Sequence, residues 1–303
     1  MIRIFATTFA ALSGLAFGSF LNVCVTRWPA GESIVTPRSH CRNCARKLAW
    51  WENIPLVSWL FLGGRCRTCG MSIGWRYPLV EFAVAATWAI VAWQSIGHLY
   101  AITDAVSPPV VSFSPRFLLN LFITVSGKMA FTWVMVGLAA LDAEHLWLPD
   151  AVTLPGIGLG VAITVLRGTP ILDSASLLVP SWTRLLNAAV AAVVAASLVL
   201  LIRWTYWIIR RREGIGLGDA KLMAMLGAWL GLPGTLLSFV IGVLLASVAA
   251  LVLLALPAMR RESESWAAAK LPLGTFLCIG GIACALWGQP IITAYLRLVG
   301  IQI

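Results

Sequence analysis

Long runs without a charged side chain alternate with short segments that gather most of the Arg and Lys residues, and this alternation predicts the elements. The first uncharged run covers 4–26, and later ones cover 82–102, 117–141 (interrupted by Lys128), 151–166, 185–202 and 271–296. Between Lys221 and Arg260 no residue is charged. That stretch is too long for one crossing and contains Pro233 and Gly234, so it predicts two helices joined by a tight turn. About 20 apolar residues cross the roughly 30 Å of bilayer hydrocarbon. There the backbone must satisfy its own polar groups, so each run predicts a helix. The pattern gives an all-α, polytopic membrane bundle of about eight transmembrane helices, the fourth and sixth short.

Composition agrees: 60% of the 303 residues are hydrophobic and 11% charged, against roughly 25% charged in soluble domains. The run 4–26 follows Arg3 and has small residues near Ala16 and Gly18, as a secretory signal would. Its length instead fits a retained first helix.

The net charge of +10 would point to nucleic acid in a soluble protein. Here the basic residues report orientation, and no nucleic-acid partner is expected. Eight of the 22 Lys and Arg residues fall in 27–76, five in 203–221 and three in 260–270. Eight helices put these segments, and the loop at 142–150, on one side. That side is expected to be cytoplasmic, in a bacterial inner membrane. The predicted organisation is a first transmembrane helix at 1–26, a small cytoplasmic zinc-binding loop domain at 27–78, and a transmembrane core at 79–303. The segment 104–115 reads as an external loop, and no internal repeat is evident.

Cys41-Arg-Asn-Cys44 and Cys66-Arg-Thr-Cys69 place two C-x2-C turns 21 residues apart. Four thiolates on two tight turns suit tetrahedral Zn2+. Neighbouring Arg42, Arg46, Arg65 and Arg67 favour the thiolate form. A redox or free-thiol role and disulfides are the alternatives. Cys24, Cys278 and Cys284 lie in helices and read as small core residues.

Acidic groups in or beside membrane helices are costly and each needs a reason. Glu81, Asp142, Glu144, Asp150 and Asp219 are the candidates. Asp142 ends one predicted helix and Asp219 opens another, at the same membrane border. Two carboxylates around one water can share a proton, one acting as base and the other as acid. Read singly, Asp219 could cap its helix and Asp142 could pair with an Arg. Asp150 reads as a cap of the helix after it, and Glu144 and His145 as supporting groups. His40 and His98 have no assigned role. A metal-carrying scaffold or a transporter with acids along a path is the competing class, although the paired halves common in transporters are not visible.

Further motifs carry a resemblance. They are Gly18-Ser19-Phe20-Leu21-Asn22-Val23 with Arg27 and Pro29, and Ser39-His40-Cys41 ahead of the paired cysteines. Leu48-Ala49-Trp50-Trp51-Glu52-Asn53-Ile54-Pro55, Gly64-Arg65-Cys66-Arg67 and Arg76-Tyr77-Pro78-Leu79-Val80-Glu81 follow, then Asp142 through Leu148-Pro149-Asp150 to Thr153-Leu154-Pro155. Last come Gly216-Leu217-Gly218-Asp219 with Lys221, and Leu226-Gly227-Ala228-Trp229-Leu230-Gly231. The chain resembles the bacterial type IV prepilin peptidase/N-methyltransferase family, GxGD-type intramembrane aspartyl proteases. The resemblance implies cleavage of type IV prepilins or type II secretion pseudopilins after the leader glycine, with Asp142 and Asp219 as the catalytic pair. It also implies methylation of the new N-terminus from S-adenosylmethionine. A peptidase without methyl transfer is the narrower alternative. Glu81 is a candidate to hold the substrate amine, or a boundary carboxylate paired with Arg76. At Pro272-Leu273-Gly274-Thr275-Phe276 the family usually shows Gly-Pro-Phe, a departure that weakens any role for that segment.

Overall fold

In the computed structural model, residues 1–105, 114–167, 180–212, 214, 216–255 and 271–300 are described. The secondary structure there is helical, with only two isolated β-bridges. The long helices are α1 (Ile2–Arg27), α3 (Arg76–Ala105), α4 (Pro115–His145), α6 (Ser181–Arg210), α7 (Leu217–Ala255) and α8 (Leu273–Leu298). All six are long and apolar enough to cross a bilayer. Shorter are α2 (Val57–Phe61) and the apolar α5 (Asp150–Leu166), with a 3-10 turn at Trp50–Asn53.

The expected turn in the longest uncharged stretch is present, two residues earlier than the Pro-Gly pair suggested. Helix α7 breaks at Gly231, whose φ of 70° and ψ of 175° leave the helical region. Glycine takes that positive φ without the clash a Cβ would add. Pro233 then falls in the first turn of the second half, where a missing N–H costs nothing. With α7 counted as two and α5 included, eight apolar helices lie among the described residues. The basic segment 260–270 lies outside the described residues, as does most of the segment 104–115.

The chain divides into two compact units. One comprises 1–114 and 125–140; the other comprises 115–124 and 141–303. Helix α4 therefore gives its middle to the first unit and its two ends to the second.

In the first unit α1 packs on α3. A Cβ at Gly14 would lie 2.8 Å from Ala85 Cα, and one at Gly18 would lie 2.7 Å from Glu81 Cα. The Gly14-x3-Gly18 spacing puts both on one face and lets the two backbones touch. Such close approach replaces the hydrophobic drive that lipid removes. Trp133 Nε1 donates to the Phe17 carbonyl (3.1 Å), joining α4 to α1.

The second unit uses the same device. Helix α6 meets α7 along Ala188, Ala191, Ala192 and Ala195, all buried. A Cβ at Gly227 would lie 2.6 Å from the Ala191 carbonyl oxygen. Gly280 sets α8 against Ser238, and Gly156 and Gly160 set α5 against Met225 and Trp229. Trp229 Nε1 donates to the Gly156 carbonyl (2.9 Å). Outward-facing residues are apolar, with Ile209 72% and Leu251 65% exposed, as lipid contact requires.

Candidate active site

Asp142 lies in the last turn of α4 and Asp219 in the first turn of α7. Packing brings the two turns together. Leu148, just beyond α4, touches both partners: a Cβ at Gly218 would lie 3.2 Å from Leu148 Cβ, and one at Gly274 would lie 3.0 Å from Leu148 Cδ1. That same Gly274 Cβ would lie 2.9 Å from Asp142 Oδ2. The two carboxylates are within electrostatic reach of each other and of the buried Cys278 thiol on α8.

Each carboxylate is held by one oxygen. Asp142 is buried, and its Oδ2 accepts the Thr275 backbone N–H (2.6 Å) and the Thr275 hydroxyl (3.1 Å). Those donors come from the first turn of α8, whose N–H groups have no intrahelical acceptor. Asp219 is half-buried, and its Oδ2 accepts the Gly216 N–H (3.2 Å). This is the return half of a capping box, in which an acid three residues into a helix binds the N-cap amide. Asp219 therefore caps its helix end while lying beside Asp142.

Two readings are corrected here. The segment 272–276, set aside because it departs from the family pattern, supplies both donors to Asp142. A lone backbone amide and a short hydroxyl carry no sequence signal for such a role. Asp150 is the second. Its helix has Pro149 as N-cap and no side-chain cap. The Asp150 carboxylate instead takes Lys221 Nζ at 2.6 and 2.7 Å, tying the start of α5 to the first turns of α7. Glu144 and His145 stand 3.7 Å apart, partly exposed, at the end of α4.

Glu81 lies in the first unit, 7% exposed, near the start of α3. Its Oε2 accepts the Leu56 N–H (2.8 Å), and Ser19 and Asn22 of α1 lie beside it. Arg76 donates to Thr26 Oγ1 (2.6 Å). Glu81 thus joins α1, α3 and the cysteine loop.

The four loop cysteines converge, with their sulfurs all within 4.8 Å of one another. Cys41 Sγ and Cys69 Sγ are 3.7 Å apart. A tetrahedron of Zn–S bonds near 2.3 Å has edges of about 3.8 Å. Two equivalent turns build the site, at the two C-x2-C pairs. Cys41 N bonds Arg46 O and Ala45 N bonds Cys41 O; Cys66 N bonds Met71 O and Gly70 N bonds Cys66 O. Ala45 and Gly70 hold matching positive φ angles of 56° and 69°. The backbone amides of Cys69 and Thr68 pull the Cys66 thiol down to about 6. The Met71 amide and the Asn43 side chain lower Cys69. Against the Arg46 amide, which lowers it, burial and the Cys41, Cys69 and Cys66 sulfurs push the Cys44 thiol up to about 11. Zinc binds thiolates, and it is the convergence of four sulfurs at about the edge length of its tetrahedron that fits the ion. Cys24, Cys278 and Cys284 are buried in helices as expected.

Fold and site define a multi-pass membrane protein with paired aspartates at helix ends and a four-cysteine loop. The chain belongs to the type IV leader peptidase family. Residues 129–254 match that family's model, and residues 12–95 match that of the bacterial peptidase A24 N-terminal domain. It is 32% identical to the prepilin leader peptidase/N-methyltransferase of Stutzerimonas stutzeri over 95% of this chain and 93% of that protein. Identity to the protein of the same name from Pseudomonas aeruginosa is 31%, over 96% and 93%. The Klebsiella pneumoniae protein is 36% identical over 76% and 89%. No solved structure matches the chain significantly.

Proposed function

We propose that this chain cleaves the leader from type IV prepilins or type II secretion pseudopilins and methylates the new N-terminus. The observation that carries the peptidase reading is the meeting of Asp142 and Asp219 around Leu148, Gly218 and Gly274. One carboxylate takes a proton from a water, which attacks the scissile carbonyl carbon. The other, protonated, gives its proton to the carbonyl oxygen. The tetrahedral intermediate collapses as the C–N bond breaks and the leaving amine gains a proton. The amide of Thr275 and that of Gly216 fix one oxygen of each acid, so Oδ1 of each remains to face water and substrate. Sharing one proton between two close carboxylates avoids placing two like charges together.

The peptidase core lies within 79–303. The leader's cut point, at the edge of an apolar helix, reaches acids held at helix ends. The excess of Arg and Lys in the loops supports an inner-membrane protein with this site at the cytoplasmic face. Cys41, Cys44, Cys66 and Cys69 hold structural Zn2+, which supplies folding energy to a loop with little apolar surface to bury. S-adenosylmethionine supplies the methyl group, and Glu81 holds the substrate amine.

Incubation of a model prepilin and labelled S-adenosylmethionine with the purified enzyme, read by mass spectrometry, tests the whole reading. Wild type cuts after the leader glycine and adds one methyl. Asp142→Asn and Asp219→Asn insert in the membrane but leave the prepilin intact. Cleavage retained in either variant removes the dyad, and cleavage without label removes methyl transfer.

A further inference from the structure

Between the two pairs of cysteines the chain carries no charge from Asn53 to Gly64, and most of these residues are apolar. The stretch includes α2, on which Val57, Leu60 and Phe61 are 43%, 69% and 87% exposed. Trp59, on the same helix, packs on Trp75 with ring centroids 4.4 Å apart. Trp75, Leu79 and Phe82 follow one another at i, i+4 and i+7 where α3 begins, and all three are exposed. That spacing is one face of a helix. The apolar face of α2 is thereby continuous with the lipid-facing stripe of a membrane-spanning helix.

The helices on either side give the depth. At 1.5 Å per residue Arg3 and Arg27 lie about 36 Å apart along α1. Hydrocarbon about 30 Å thick, centred between them, has its border roughly 3 Å inside Arg27. On the same scale Gly18 is about 13 Å from Arg27, hence about 10 Å below that border. A Cβ at Gly18 would lie 2.7 Å from Glu81 Cα, so Glu81 is at the same level. Glu81 accepts the N–H of Leu56 at 2.8 Å, and Leu56 is the residue that opens α2. Asn53 and Pro55 likewise line one cavity with Ala16 and Ser19 of α1. The chain therefore descends beside α1 and α3, and α2 starts below the border.

We propose that residues 53–62 form a re-entrant segment dipping into the leaflet that Arg27 borders, with Val57, Leu60 and Phe61 against phospholipid acyl chains. Hydrocarbon tolerates such a turn only where its backbone is satisfied by protein. The amides of Ser58, Leu60, Leu62, Gly63 and Gly64 go to carbonyls within 54–60, and that of Leu56 goes to Glu81. The Ser58 hydroxyl donates to the Ile54 carbonyl (2.8 Å) and Trp59 Nε1 to the Ile73 carbonyl (3.0 Å). In water the same face would be an apolar patch of a kind that soluble surfaces avoid. Arg65 and Arg67, both exposed, mark the return to water. The paired cysteines stand at the two ends of the segment, so their convergence holds its mouth together. The loop at 27–78, expected to be cytoplasmic, is thus in part a membrane element.

The test places the photo-cross-linking residue p-benzoylphenylalanine at position 61 of the full-length protein, in nanodiscs of phosphatidylethanolamine and phosphatidylglycerol. The same label at Leu251, exposed on α7, is the lipid reference, and at Glu32, exposed beyond the end of α1, the water reference. After irradiation, mass spectrometry is expected to find lipid adducts at position 61 at least fivefold above those at 32, with the new bond on an acyl chain. A smaller excess, or adducts on headgroups, overturns the proposal. So does cross-linking to a second copy or to an added model prepilin in place of lipid. Phe61→Asp is the second measurement, read by hydrogen exchange in the same nanodiscs. The side chain is 87% exposed, so on a surface in water the change would lose no packing and exchange would stay within twofold. In the leaflet a charge is costly, and exchange of the amides of 54–62 is expected to rise at least tenfold. Exchange within twofold of wild type overturns the proposal.

Discussion

Gly274→Ala is a direct probe of how the dyad is held. The added Cβ would sit 2.9 Å from Asp142 Oδ2 and 3.0 Å from both its Cγ and Leu148 Cδ1. Attractive contact between heavy atoms begins near 3.5 Å, so Asp142 or the start of α8 must move by about 0.5 Å. Either movement disturbs the 2.6 Å bond from Thr275 N and the placing of Asp142 relative to Asp219. Misplacing a reacting group by 1 Å can cost about 100-fold, so half that distance predicts a loss of about tenfold in kcat. KM should stay within about twofold, because the mutation leaves distant substrate contacts alone. The assay is steady-state cleavage of a model prepilin, with thermal melting alongside. Gly158→Ala is the control: its Cβ meets nothing within 4 Å inside α5, and alanine is favoured over glycine in a helix by about 0.5–1 kcal/mol. Turnover in Gly274→Ala within twofold of wild type would refute the claim that the Gly274–Thr275 turn positions Asp142.

Gly227→Ala should destabilise the second unit by about 1–3 kcal/mol through overpacking, because its Cβ would meet Ala191 and Ala192 backbone atoms at 2.6–2.7 Å; thermal melting reads the loss. Glu52, whose side chain is 1% exposed, accepts Arg46 Nη2 at 2.6 Å and the Ala49 amide. The Arg46 hydrogen bond, then the Ala49 amide, hold it below the usual glutamate value of 4.5. Its stabilising effect is therefore complete above pH 4.5 and is lost as pH falls through the lower folded value. Glu52→Gln should lower zinc retention and loop protection at pH 7, measured by metal analysis and hydrogen exchange, and should flatten their fall on acidification below 4.5. Removing zinc with a chelator should loosen 38–73, seen as faster exchange there, and melting should drop; unchanged exchange would count against a structural ion.

The helices were legible because membrane spans are written locally. An apolar run of about 20 residues with at most one charge has one way to satisfy its backbone in lipid, so composition alone marked α1, α3, α4, α6 and α8, and the length of the stretch after Lys221 forced a break. The paired C-x2-C turns were equally legible, since each turn is made by neighbours in sequence. Asp142 and Asp219 stood out because acids are rare at such positions. What remained hidden were contacts between segments far apart in the chain. Thr275 reaches Asp142 across 133 residues, Lys221 reaches Asp150 across 71, and Leu56 reaches Glu81 across 25. No local period encodes these pairings. They are set by glycines such as Gly18, Gly227 and Gly274, which decide how near two backbones come, and distance of approach is a property of the packed bundle.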